Sequence, residues 1–198
     1  MKGTPESRRE DKAPAPGCDA RVRAVILVGF MGAGKTSVGR ALGGRLGWRF
    51  HDLDDRVRAR EGRTVADIFR ESGETEFRRV EHAALRELLG ETEVGTPIVL
   101  ALGGGAFVEA NNASLLETAA TPTVYLDATP DELWRRCAAD SVERPLRRDE
   151  SAFRQLYETR RPKYLRARLR IATGGQEIER IVSEIVSALG LESPGKEM

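Results

Sequence analysis

No stretch of this sequence is apolar over the roughly 20 residues needed to cross a bilayer, so no role in a membrane is expected. Cysteine is nearly absent. The 198 residues hold two, Cys18 and Cys137, without metal-ligand or disulfide-framework spacing, which points to a reducing compartment and a cytoplasmic protein. Histidine is as scarce, and His51 and His82 are too far apart to form a ligand pattern. Neither sign of charge dominates: 32 Lys and Arg stand against 31 Asp and Glu. A net charge of +1 gives no global attraction to nucleic acid or to an anionic membrane. Internal repeats are lacking too. What the chain does have is enough apolar sequence, 40% of its residues, to exclude global disorder and to fill the core of one α/β domain.

The most informative segment is Gly29–Thr36, GFMGAGKT, between the apolar run Ala24–Val28 and the helical pattern Ser37–Leu46. Gly29, Gly34, Lys35 and Thr36 satisfy G-x-x-x-x-G-K-[ST] in the strand–loop–helix setting that the pattern requires. Such a loop turns its backbone N–H groups toward phosphate oxygens. The helix start adds partial positive charge, and the lysine reaches the terminal phosphates. A threonine hydroxyl suits magnesium, which takes hard oxygen ligands. A glycine-rich turn with a chance lysine is the plain alternative, and the flanking strand and helix argue against it.

Apolar runs alternate with helical patterns along the rest of the chain. Strands are expected at Ala24–Val28, Arg49–Leu53, Pro97–Leu102, Thr123–Leu126 and Leu169–Ala172. Helices are expected at Lys35–Leu46, Asp54–Arg60, Val65–Glu71, Thr75–Leu89, Asn111–Thr118, Pro130–Ala138, Ser151–Tyr164 and Gln176–Leu189. Thr64 with Asp67 has the form of a capping box, and Thr129-Pro130 followed by Asp131 and Glu132 is a helix start. This alternation implies a mostly parallel sheet covered on both faces, with ligands at the carboxyl ends of its strands. Residues 1–21 are polar, proline-containing and aperiodic, without the apolar core of a secretory signal, and read as a disordered tail. Residues 191–198 read as a second one, leaving a single domain over 22–190.

Three further groups of residues fall at expected strand ends. In His51-Asp52-Leu53-Asp54-Asp55, strand alternation turns Asp52 and Asp54 to one side and Leu53 into the core. Two carboxylates beside a phosphate loop suit one role near magnesium and one facing an acceptor hydroxyl, although a solvated strand end with a helix cap is common. Gly103-Gly104-Gly105 permits close approach of a ligand to the backbone, or is only a flexible turn. Arg78 and Glu81 are three apart and able to pair on one helical face; most such pairs are surface ion pairs worth little. Thr123–Asp127 has the form of a hydrophobic strand ending in the magnesium aspartate of many nucleotide hydrolases. Trp48 and Trp134 read as packing anchors, His51 and His82 as structural, and Phe69 with Phe77 as an apolar wall.

Taken in order, GFMGAGKT, the D-x-D at 52–54, GRTVADIFRESGETEFRRVE at 62–81, the triple glycine at 103–105, ERP at 143–145 and RRPKY at 160–164 resemble the shikimate kinase family. The resemblance covers about residues 24–189. It implies a P-loop NTPase fold of the nucleoside-monophosphate-kinase type: a three-layer sandwich around a parallel five-stranded sheet in the order 2-3-1-4-5. The implied reaction moves the γ-phosphoryl of ATP to the 3-hydroxyl of shikimate, a step of chorismate and aromatic amino-acid biosynthesis. By motif position, Gly32, Ala33, Gly34, Lys35, Thr36 and Ser37 would hold ATP, with Arg136 against adenine. Lys35 and Arg144 would neutralise the transferring phosphoryl, Arg144 from a lid at about 138–150. Asp54 would bind the acceptor hydroxyl as candidate base, and Arg78, steadied by Glu81, would hold the substrate carboxylate with Arg160. Gly103, Gly104 and Gly105 would line the ring; Mg2+ would be bound by Thr36 directly and by Asp52 through water. A monomer is expected, with no nucleic-acid or membrane partner. Departures from the family pattern are Ala101 in place of a hydroxyl residue, Lys163 in place of leucine, a loop Thr173–Gln176 without proline, and a lid one residue longer, which leaves Arg135 as a competitor to Arg136. A kinase for another hydroxy acid such as gluconate, and a nucleotide-binding module without transfer chemistry, are the alternatives.

Overall fold

A computed structural model of the protein describes residues 22–94, 97–139 and 149–191. Apart from Leu191, which is buried, the expected tails lie outside the described residues, as do most of the expected lid and Arg144. Five parallel strands form one sheet in the order β2-β3-β1-β4-β5: β1 Ala24–Val28, β2 Arg49–Asp52, β3 Ile98–Ala101, β4 Thr123–Asp127 and β5 Leu169–Ala172. The helices between them are α1 Lys35–Leu46, α2 Leu53–Glu61, α3 Val65–Val94, α4 Ala110–Thr118, α5 Pro130–Ala139, α6 Glu150–Tyr164 and α7 Ile178–Ala188. This is the expected fold and strand order. A 3-10 turn at Ala106–Val108, which no sequence pattern announced, follows the glycine run.

The central strand β1, AVILV, is buried at every position, as a strand covered on both faces must be. Burying each of its large aliphatic side chains contributes about 1.5–3 kcal/mol. Register pairs Leu27 with Ala101 and Val28 with Tyr125. The ends of β3 and β4 therefore lie level with the start of the phosphate loop.

Local signals account for the helix boundaries. Thr64 and Asp67 do form the reciprocal capping box: the Asp67 N–H donates to Thr64 Oγ1 at 3.1 Å and the Thr64 N–H to Asp67 Oδ2 at 3.3 Å. The two helices expected over 65–71 and 75–89 form a single run broken at Gly73, whose φ of 79° and ψ of 176° are open essentially to glycine alone. Across that break the rings of Phe69 and Phe77 meet at 4.6 Å.

One boundary moves. β2 stops at Asp52, one residue short of the expected Leu53, and Asp54 sits in the first turn of α2, where a helix from Asp54 was expected. The cause is Asp52 itself, whose Oδ1 accepts the Asp54 N–H at 3.1 Å and caps the helix. Strand alternation does not aim these two carboxylates, although Leu53 is fully buried as expected.

Candidate functional site

The phosphate loop leaves β1 and enters α1 through Gly34, which has φ 87°, and the Val38 N–H closes the first helical bond on the Gly34 carbonyl at 2.9 Å. No acidic side chain occupies the first turn of α1, so its N–H groups and partial positive charge face outward uncompensated from within the helix. Lys35 folds back over the loop, its Nζ donating to the carbonyls of Gly29 at 2.8 Å and Phe30 at 3.0 Å. Thr36 Oγ1 donates to Asp52 Oδ2 at 3.2 Å, which brings a hydroxyl and a carboxylate together at the loop. These are the hard oxygen donors that a magnesium ion shared with phosphates requires.

Gly103, Gly104 and Gly105 follow β3, and each lies against a different partner. A Cβ on Gly103 would stand 2.8 Å from Asp54 Oδ1. One on Gly105 would stand 2.7 Å from Arg78 Nη2, and one on Gly104 would stand 3.5 Å from Arg160 Nη1 and 3.9 Å from the Gly29 carbonyl. That carbonyl also holds Lys35. Three consecutive residues without side chains thus let a carboxylate, two guanidinium groups and the edge of the phosphate loop converge. A side chain at Gly103 or Gly105 would displace the charged groups beside it.

Electrostatics differ at the two ends of this floor. Burial first, then the charge of Asp52, raises the Asp54 carboxyl above its ordinary value, while Lys35 pulls the other way. Arg78 faces three carboxylates: Glu81 at 2.8 Å, Glu74 at 3.2 Å and Glu109 at 3.6 Å. Its guanidinium also lies over the Phe77 ring, 5.1 Å from the centroid. Glu81 is buried, at 1% exposure, so the Arg78–Glu81 pair is not an ordinary surface ion pair. Burial pushes its carboxyl up to about 7 against the pull of Arg78.

Known proteins resemble this chain along most of its length. The family model described as shikimate kinase covers residues 31–190. The chain belongs to the shikimate kinase family. It is 40% identical to a shikimate kinase of Thermus thermophilus over 83% of this chain and 89% of that one. Among solved structures, a shikimate kinase from Bacteroides thetaiotaomicron superposes with a TM-score of 0.77 at 30% identity, over 85% of this chain and 98% of that one. Another, from Acinetobacter baumannii in complex with shikimate, superposes with a TM-score of 0.74 at 33% identity, over 85% and 93%.

Within this shikimate kinase fold, Arg136 bridges three elements. It donates to the Gly32 carbonyl at 3.4 Å, to Glu132 at 2.5 Å and to the Thr173 carbonyl at 2.7 Å, whereas Arg135 is exposed. Gly32, Ala33 and Ser37 lie in the loop and the first turn of α1. Asp127 has both oxygens engaged, by the Tyr125 hydroxyl at 2.6 Å and by Arg170 at 2.6–2.8 Å, so the carboxylate at the end of β4 is bound within the fold. His82 bonds Asn112 at 2.8 Å, in keeping with a structural role. Trp134 packs edge-on to Phe153. Among the described residues no group of three or more His, Cys, Asp or Glu would hold a metal ion, and no helix is long and apolar enough to cross a membrane. Sequence reasoning missed Glu109. Its relation to Arg78, 31 positions earlier, arises only when the turn after the glycines folds back toward α3, and no spacing rule carries it.

Proposed function

We propose that this protein transfers the γ-phosphoryl of ATP to the 3-hydroxyl of shikimate, giving shikimate 3-phosphate and ADP. One observation carries the assignment: Asp54, Arg160 and Arg78 lie against Gly103, Gly104 and Gly105 in turn, within reach of the loop that holds Lys35. The sequence of contacts suits a small hydroxy acid, with its hydroxyl toward Asp54 and the phosphate loop and its carboxylate toward the two arginines. A planar guanidinium takes a carboxylate through two parallel hydrogen bonds, which fixes orientation as well as charge.

Phosphoryl transfer asks mainly for alignment and for neutralisation of developing charge. Asp54 receives the hydroxyl proton as the substrate oxygen bonds to the γ-phosphorus, and the bond from that phosphorus to the β-γ bridging oxygen breaks to release ADP. The raised carboxyl of Asp54 brings it nearer to the operating pH, as a general base requires. Lys35, released from the Gly29 and Phe30 carbonyls, supplies a positive charge to the phosphoryl, and Arg144 a second. Gly32, Ala33, Gly34, Thr36 and Ser37 cradle the phosphates, with Arg136 toward adenine. Thr36 and Asp52 would hold Mg2+, Asp52 through water; the ion supplies charge neutralisation to the phosphates. A monomeric, cytoplasmic enzyme without nucleic-acid or membrane partners completes the reading. A coupled ADP-release assay with and without shikimate tests it: release must depend on shikimate and must not be restored by gluconate.

A further inference from the structure

We propose that Tyr164 is a positioning residue of the acceptor site, its hydroxyl tying the Gly104 backbone to the Arg160 guanidinium so that the two halves of the site share one geometry. The proposal rests on the acceptor reading above. Tyr164 ends α6, four residues after Arg160, so both side chains emerge on one helical face. Its side chain is fully buried, yet its hydroxyl donates to the Gly104 carbonyl. Seen from the point where a Cβ on Gly104 would stand, Arg160 Nη1 is 3.5 Å away and the Tyr164 hydroxyl 3.7 Å. The charge of Arg160 and its hydrogen bond bear on that hydroxyl, opposing the burial that pushes its pKa up to about 12.

The hydroxyl's bonding capacity fits the position. A phenol has one proton to give and lone pairs to accept with, while a guanidinium only donates. The proton goes to Gly104, which leaves the lone pairs for a donor such as Arg160. The ring cannot easily turn away, because it stacks on Tyr125 at 5.4 Å and 26°, and Tyr125 is itself held by Asp127. Arg160 is a long, half-buried side chain with much rotamer freedom to lose. A fixed acceptor beside it reduces what substrate binding must immobilise.

Tyr164→Phe keeps the ring, the stack and the volume, and removes only the hydroxyl. The expected result is a rise of roughly tenfold in the KM for shikimate, the scale of a lost hydrogen bond to a charged group. Turnover and the KM for ATP should stay within about twofold. Combined with Arg160→Lys, the two effects should fall clearly short of multiplying, since Tyr164 acts through Arg160. An unchanged shikimate KM overturns the proposal. So do equal rises in both KM values, the mark of a general loosening, and so does full multiplicativity in the double variant. Wild-type protein assayed alongside separates the two readings: with no shikimate-dependent ADP release, the acceptor assignment and this proposal fall together, whereas an active wild type with an indifferent Tyr164→Phe variant overturns only the role of Tyr164.

Discussion

Replacing Glu81 with glutamine should stabilise the protein at alkaline pH while impairing its use of shikimate. Glu81 is 1% exposed and lies 2.8 Å from Arg78 Nη1. Its carboxyl is nevertheless pushed up to about 7 from an ordinary 4.5, by burial first; Arg78 pulls it down, and the charges of Asp54 and Glu109 push it up. The folded state therefore keeps this proton at pH values where the unfolded chain has released it. The stability it contributes is fully present below about pH 4.5 and is lost as pH rises through 7. A shift of about 2.5 pH units corresponds to about 3 kcal/mol.

Glutamine cannot titrate, and its amide oxygen can still accept from Arg78. Every other group titrates in both proteins, so the difference in unfolding free energy between Glu81→Gln and wild type isolates this carboxyl. It should move by about 3 kcal/mol in favour of the variant between pH 4.5 and pH 8, as read by urea unfolding at several pH values. A difference that stays flat with pH, or moves the other way, refutes the reasoning. The kinetic cost comes from the same exchange: a neutral acceptor holds Arg78 by about 1 kcal/mol less than a charged one, so the KM for shikimate should rise about fivefold. A variant both more stable at pH 8 and less able to use shikimate would show Glu81 retained for function at the expense of stability.

Other expectations follow from the same geometry. Lys35→Ala should fold normally and lose about 10²–10³ in turnover, the cost of one transition-state contact; near-normal turnover would remove Lys35 from the mechanism. Because Asp54 is raised, the acidic limb of the kcat/KM profile should lie above the ordinary aspartate value of 3.8. A limb at or below that value argues against Asp54 as base. Arg78→Lys keeps the charge without the planar fork and should bind ATP normally while shikimate-dependent ADP release falls by about tenfold or more; equal use of shikimate and its carboxamide by wild type would show that no carboxylate is read. Arg144→Ala should lower turnover and leave the KM for shikimate near normal, and the reverse pattern would make Arg144 a plain binding residue.

The sheet and its helices were legible because their signals are local. A buried five-residue run, a phosphate-loop pattern and a threonine–aspartate capping box each act over fewer than ten residues. The pairing of Arg78 with Glu81 was legible for the same reason, through helical spacing. The local cause that places Asp54 was not. Period-two alternation continued one residue too far because Asp52 can serve both as a strand residue and as a helix cap, and the cap wins through its bond to the Asp54 N–H. Glu109 and the Tyr164 hydroxyl were invisible on other grounds. Each meets its partner across 31 and 60 residues of chain, joined by a turn whose only local mark is a run of glycines.

That run also explains why the charges of the site can coexist. Arg78 with Glu74, Glu81 and Glu109 is a net anionic cluster beside a pocket that we assign to an anion, and simple charge counting would have it repel its substrate. The contact at Gly105 resolves the conflict. With no side chain there, the Nη1 and Nη2 end of the fork can press against the backbone floor. Glu81 holds Nη1, Glu109 stands by the Nε edge, and Glu74, on Nη2 at 67% side-chain exposure, is screened by water. Glu81 is partly protonated near neutrality and carries less than a full charge. On that assignment the acceptor would meet an oriented guanidinium rather than the sum of the charges around it, and a side chain as small as alanine at Gly105 would stand against both of its Nη atoms.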